Sequence, residues 1–148
     1  MAKAFKVQVE GLSAVIKKID AYSKKLGDQV VAELDTGVKN MADRARALAP
    51  NGRNGLLKAS IGYLSVERYQ KEFFALAPYA AYVEFGTGAR VFETSFQFSP
   101  EAREFAKEFY VNGMGRMPAS PFMFPAFEAE KVEILKRVRK VLLDGKTV

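Results

Sequence analysis

"PYAAYVEFGTG", residues 78 to 88, sets one carboxylate, Glu84, in a run of tyrosine, alanine, valine and phenylalanine, then breaks at Gly86-Thr87-Gly88. Pro78 suits the first position of a helix, and Gly86 suits the residue just past its end. The spacing predicts a short helix with Tyr79, Tyr82 and Val83 clustered on one side; a strand is the alternative. Three roles are open to such a stretch. It could be an active-site loop with a catalytic glutamate, a phosphate-cradling glycine turn, or structural joinery.

On the N-terminal side, Phe5, Val7 and Val9 alternate with polar residues, as in a short strand ended by Gly11. Leu12, Val15, Ile16, Ile19, Tyr22 and Leu26 then form a helical stripe, which Gly27-Asp28 is expected to break, with Asp28 capping the next helix. That second helix follows Val30, Leu34, Val38, Met41, Ala45 and Leu48, is weakened at Gly37, and stops at Pro50. Residues 56–66 and 71–77 read as a strand hairpin. Ser99-Pro100-Glu101 signals a small helix inside a long irregular excursion, residues 89–116. A C-terminal helix starts around Pro121 to Pro125, with the stripe Phe127, Ile134, Leu135, Val138, Val141 and Leu142. Glu128, Glu130 and Glu133 near its start, and Lys136 to Lys140 near its end, would complement its dipole. The sum is an α+β fold: a small antiparallel sheet packed against long helices, with a projecting loop, as a single domain over residues 1–148.

Composition removes whole classes of chemistry. There is no Cys, hence no disulfide and no thiolate metal site, and no His, hence no imidazole base or ligand. A signal-peptide core and an apolar run of bilayer length are both missing, so the expectation is a soluble protein made in the cytoplasm, with no membrane partner. Net charge is +6, spread over several elements. That favours diffuse contact with a polyanion over base-specific readout.

The candidate sites divide by chemistry. Neither "GTGAR" nor "NGMGRM" fits a phosphate loop, which needs a strand before it and a helix start after it. Glu84 and Glu93 flank the glycine turn, but nothing in their spacing makes them converge as a carboxylate pair. Glu84 therefore reads as a surface acid, free to pair with a basic neighbour. No cofactor is implied. The unusual feature is aromatic: Phe92, Phe96, Phe98, Phe105 and Phe109 crowd the excursion, and Phe122, Phe124 and Phe127 the next helix start. Arg116, Met114, Met117 and Met123 lie among them. Either a satellite core or a subunit interface, where aromatics, Met and Arg concentrate, would use such a set. The interface candidates are Tyr79, Tyr82, Glu84, Phe85, Gly86, Phe92, Phe96, Phe98, Phe105, Phe109, Arg116, Met117, Phe122 and Phe124.

Three stretches, in order, carry a family resemblance. "ALAPNGRNGLLKASI" (47–61) resembles a segment A-P-x-x-T-G-x-L-x-x-S-I, "APYAAYVEFGTG" (77–88) a signature A-x-Y-A-x-x-V-E-F-G-T, and "MPASPFMFPAFE" (117–128) a segment M-P-A-R-P-F-x-x-P-A-x-E. All three belong to the neck or tail-completion proteins of long-tailed bacteriophages and prophages, which the chain resembles from about residue 12 to residue 143. Asn54 stands where the family has Thr, Ser120 where it has Arg, and the excursion is longer than in compact members. The resemblance implies a virion protein at the head–tail joint that is not an enzyme. It implies assembly as a ring, hexameric in form, around the DNA channel, in contact with other neck and tail proteins. The rival readings are a tail terminator capping the tail tube, a sequence-nonspecific DNA-binding module and a carboxylate-dependent hydrolase. On the tail-completion reading the opening stretch is joinery: Tyr79, Tyr82, Val83 and Phe85 anchor it, and Gly86 and Gly88 let the chain turn.

Overall fold

The computed structural model describes residues 5–8, 17, 24–88, 99–100, 104, 106 and 116–145. Along the chain these form β1 (Phe5–Gln8), α1 (Lys24–Leu48), α2 (Leu56–Ser60), β2 (Ile61–Glu67), β3 (Gln70–Ala75), α3 (Ala80–Phe85) and α4 (Met123–Asp144). The fold is α+β, as the sequence patterns require. The strands make one antiparallel sheet in the order β1-β3-β2. Phe73 of β3 sits between Val7 and Tyr63 in register, and the β2–β3 hairpin carries an irregularity between Ser65 and Glu67. Among the described residues no helix is long and apolar enough to cross a membrane.

The core lies where α1, the sheet, α3 and the start of α4 meet. Val30, Leu34, Val38, Met41, Ala42 and Ala45 form the buried stripe of α1, at the spacing the sequence shows. Against them pack Ile61, Phe73, Phe85, Phe122, Met123, Ile134 and Val138, all buried.

α1 and α4 run antiparallel, as their contacts show: Glu33 meets Arg137, Gly37 meets Ile134, and Asn40 and Arg44 meet Glu130. Gly37, which costs helix propensity, is the point of closest approach. A Cβ there would lie 2.3 Å from Ile134 Cδ1. Beside this contact is a polar lock. Glu130 is 1% exposed and accepts hydrogen bonds from Asn40 Nδ2 (3.1 Å), Arg44 Nε (3.1 Å) and Arg137 Nη2 (2.8 Å). Arg137 also donates to Glu33 at 2.8 Å. Both carboxylate oxygens of a buried acid are thereby occupied, which is the condition for burying a charge at all.

Several expectations are corrected here. Gly27-Asp28 does not break a helix: α1 already runs from Lys24, Gly27 is buried within it, and Asp28 pairs with Arg68 at 2.7 Å instead of capping. The rest of the expected helix over 12–26 lies outside the described residues, apart from Lys17, which is helical. Residues 56–60 are helical rather than extended. Gly55 enters them with a left-handed φ of 63°, Leu57 turns inward, and Ser60 Oγ closes the turn on the Leu57 carbonyl at 2.7 Å. Glu130 is no surface acid serving its own helix dipole, and α4 has no acid in its first turn and no base in its last.

The Gly37–Ile134 contact predicts a coupled pair. Gly37→Val should lower stability by about 1–3 kcal/mol through overpacking. Combined with Ile134→Ala, its cost should be smaller than the sum of the two single changes, since the short side chain makes room. Thermal and urea unfolding of the four proteins measures this; strict additivity would show that the helices do not touch there.

Candidate functional site

α3 forms as its sequence predicts, in a single short helix over Ala80–Phe85. Its C-cap is Gly86, with φ 78° and ψ −175°. Side chains other than glycine are strongly disfavoured in that region, so the turn at "EFGTG" depends on Gly86. Gly88, at φ 58°, completes the reversal.

The short helix presents Glu84 inward. Its side chain is fully buried, 0% exposed, between the first turn of α4 and the core. Oε2 accepts the backbone N–H of Phe122 at 2.7 Å and of Met123 at 2.9 Å; Oε1 accepts that of Phe124 at 2.9 Å. These are amides that open α4, where a helix has no partners of its own to offer. The N-cap position of α4 is Phe122, whose side chain cannot cap. Glu84, 38 residues earlier in the chain, does so instead. A carboxylate at this place also meets the positive end of the helix dipole.

Around it the two segments are stitched further. Ser120 N–H donates to the Val83 carbonyl at 2.7 Å. Thr87 N–H donates to the Met117 carbonyl at 2.9 Å, and Met117 N–H returns a bond to Thr87 Oγ1 at 2.9 Å. Phe85 and Phe124 stack in a tilted pair, centroids 5.8 Å apart. The stretches 78–88 and 117–128 therefore form one clasp with a carboxylate at its centre.

Burial pushes the Glu84 carboxyl up to about 7, against the amides of Phe122, Met123 and Phe124, which hold it down. Since both oxygens already accept backbone N–H groups and solvent does not reach them, the group is spent on structure. Reading Glu84 as a surface acid free to pair is thus overturned. The signal for it was present: a lone acid inside Tyr82-Val83-Glu84-Phe85, and a helix start at Phe122 with no capping side chain. Glu130, also missed as a buried acid, sits on the apolar stripe itself, three residues after Phe127 and four before Ile134.

The interface candidates separate by position. Glu84, Phe85, Gly86, Phe122 and Phe124 are enclosed within this chain, so the core of the clasp, rather than a neighbour, accounts for their burial. Tyr79, Arg116 and Met117 are exposed, and Tyr82 is half-buried. Phe92, Phe96, Phe98, Phe105 and Phe109 lie outside the described residues. The family model described as "Bacteriophage HK97-gp10, putative tail-component" matches residues 13–86, ending at the glycine that closes α3. No curated protein and no solved structure matches the chain.

The clasp predicts both a substitution effect and a pH effect. Glu84→Gln offers one acceptor oxygen in place of two and turns an amide donor toward a backbone N–H. It should cost about 1–3 kcal/mol, the penalty of an unsatisfied buried donor. Unfolded, Glu84 titrates near 4.5; folded, near 7. Between these values the folded chain holds the extra proton, so the contribution of Glu84 is complete below about 4.5 and is lost as pH rises through about 7. Melting temperatures from pH 4.5 to 8 should show this decline in the natural protein and not in Glu84→Gln. A rise over the same window would mean that the amides outweigh burial.

Proposed function

Because the chain belongs to the HK97-gp10-like family of bacteriophage tail components, we infer that it is a structural virion protein that completes the tail at the head–tail joint, assembled as a ring around the DNA channel. The observation that carries this reading is the use made of Glu84. A general acid or base must reach a proton on a substrate. Glu84 instead binds the first amides of α4 in a closed interior. The carboxylate at the centre of the stretch that the sequence offered to catalysis is a fastening, which supports a part that is not an enzyme.

On this reading the whole chain, residues 1–148, works as one joining domain, with the excursion at 89–116 reaching toward its neighbours. Its partners are further copies of itself, in a hexameric ring, and other neck and tail proteins. Tyr79, Arg116 and Met117, all exposed, are proposed to make those contacts, together with Tyr82 and the aromatics placed by the sequence in the excursion. DNA passing through the ring would meet cations rather than base-reading groups. Leu26 of α1 lies against Gly145 at the end of α4, so Lys24 and Lys25 share one end of the helix pair with Arg139 and Lys140, all exposed. Such a set suits phosphates of any sequence.

The reading is tested by removing the gene from the phage or prophage. Tail completion predicts DNA-filled heads and tails of normal length that fail to join, with joining restored by the purified protein. Tails of uncontrolled length would instead identify a tail terminator, and normal infectious particles would contradict both.

A further inference from the structure

β2 is an edge strand among the described residues, because the sheet order is β1-β3-β2. Its outer row of backbone groups pairs with no other strand there. Its side chains are open too: Tyr63, Leu64 and Val66 are 42%, 41% and 46% exposed. Alternation puts Tyr63 on the face toward α1, with the buried Ile61, and Leu64 on the opposite face; Val66 lies in the irregularity between Ser65 and Glu67. Proteins usually blunt such an edge with proline, charged residues, a bulge or short length. β2 has seven residues, no proline and no basic residue, and its irregularity between Ser65 and Glu67 and its one acid, Glu67, both stand at its far end, leaving Ile61 to Ser65 regular. Between α1 and this strand opens a cavity of about 330 Å³, lined by Asp35, Val38, Lys39, Tyr63, Leu64 and Ser65 among others. Arg46 Nη2 holds the Ile61 carbonyl at 2.7 Å at the start of the strand; beyond it, a backbone edge beside a cavity is the arrangement that receives an added strand, with main-chain hydrogen bonds to attach it and the cavity to seat a side chain.

We propose that β2 is the joining edge between subunits and that its occupant is β1 of a second copy of this chain. Among the described residues the sheet has two unlike edges, the seven residues of β2 on one side and the four of β1 on the other. Both run antiparallel to β3, hence parallel to each other. A sheet continued from copy to copy therefore places β2 beside the next copy's β1 in parallel. Unlike edges paired head to tail make a heterologous contact, which closes into a ring when the rotation per copy divides a full turn and otherwise runs on as a filament; β2 paired with β2 would be isologous and stop at a dimer. This inference rests on the ring reading and names the surface that builds the ring.

The chain has no cysteine, so introduced cysteines report without background. Leu64→Cys combined with Lys6→Cys or with Gln8→Cys, in the full chain, is oxidised mildly both in purified protein and in assembled particles. Native mass spectrometry of the unsubstituted protein runs alongside. The expected result is a ladder of disulfide-linked multimers from at least one double variant and none from any single variant. Leu64→Lys with Val66→Lys should abolish assembly while the thermal melt of the subunit stays unchanged. A ring that forms without cross-links in either double variant would overturn the β2–β1 contact and leave the ring standing. Dimers from Leu64→Cys alone would overturn it in favour of β2–β2 pairing. Absence of any ring, in solution and in particles, would overturn the ring reading and this inference with it.

Discussion

A carboxylate with no access to water holds the two halves of this domain together. Moving an ionisable group out of water costs several kcal/mol unless hydrogen bonds replace its hydration. Glu84 obtains that replacement from the backbone N–H groups of Phe122, Met123 and Phe124. The replacement is incomplete: burial outweighs the three amides and pushes the carboxyl up to about 7. The exchange is mutual: the acid loses its water and the helix start gains a cap that its own residues cannot give. Everything placed by α4, including the contact between Ile134 and Gly37, inherits its starting point from this clasp.

The second fixed point is the α1–α4 seam. There Gly37 allows close approach and the buried Glu130 draws Asn40, Arg44 and Arg137 around it. The two fixed points have a common logic. Each buries one acid from a sequence rich in apolar residues and satisfies both of its oxygens from a distant segment. Apolar contacts tolerate sliding, whereas an acid with three donors does not, so these two residues set the register of the long helices. For a member of a tail-component family, fixed register is the useful property. The clasp also joins the portion of the chain covered by the family match, which ends at residue 86, to the helix beyond it.

Much of this fold was legible in the sequence, and the reasons differ by element. The helical stripe from Val30 to Leu48 is long and regular, so α1 could be read directly; Gly86 marked the end of α3, which starts at Ala80 rather than at Pro78, and the polar residues 67–70 marked the hairpin. The break expected at Gly27-Asp28 failed because a glycine inside a packed helix is tolerated when burial there outweighs its propensity cost. Residues 56–60 failed as strand because two adjacent leucines carry no period, and the left-handed Gly55 starts a helical turn instead. The site was half legible. The segments that form it stood out, but the role of Glu84 depends on amides 38 residues away, and local pattern cannot express a cap supplied from another part of the chain. Phe122 and Phe124 looked like interface aromatics for the same reason: their cover is non-local.

The central claim is that Glu84 secures the start of α4. Amide hydrogen exchange at Phe122, Met123 and Phe124 tests it most directly, in the natural protein and in Glu84→Ala. Protection of these three amides on a par with the buried stretch of α1, and lost in the variant while α1 stays protected, is the result this account predicts. Fast exchange of the three in the natural protein, or protection unchanged by the substitution, would contradict it.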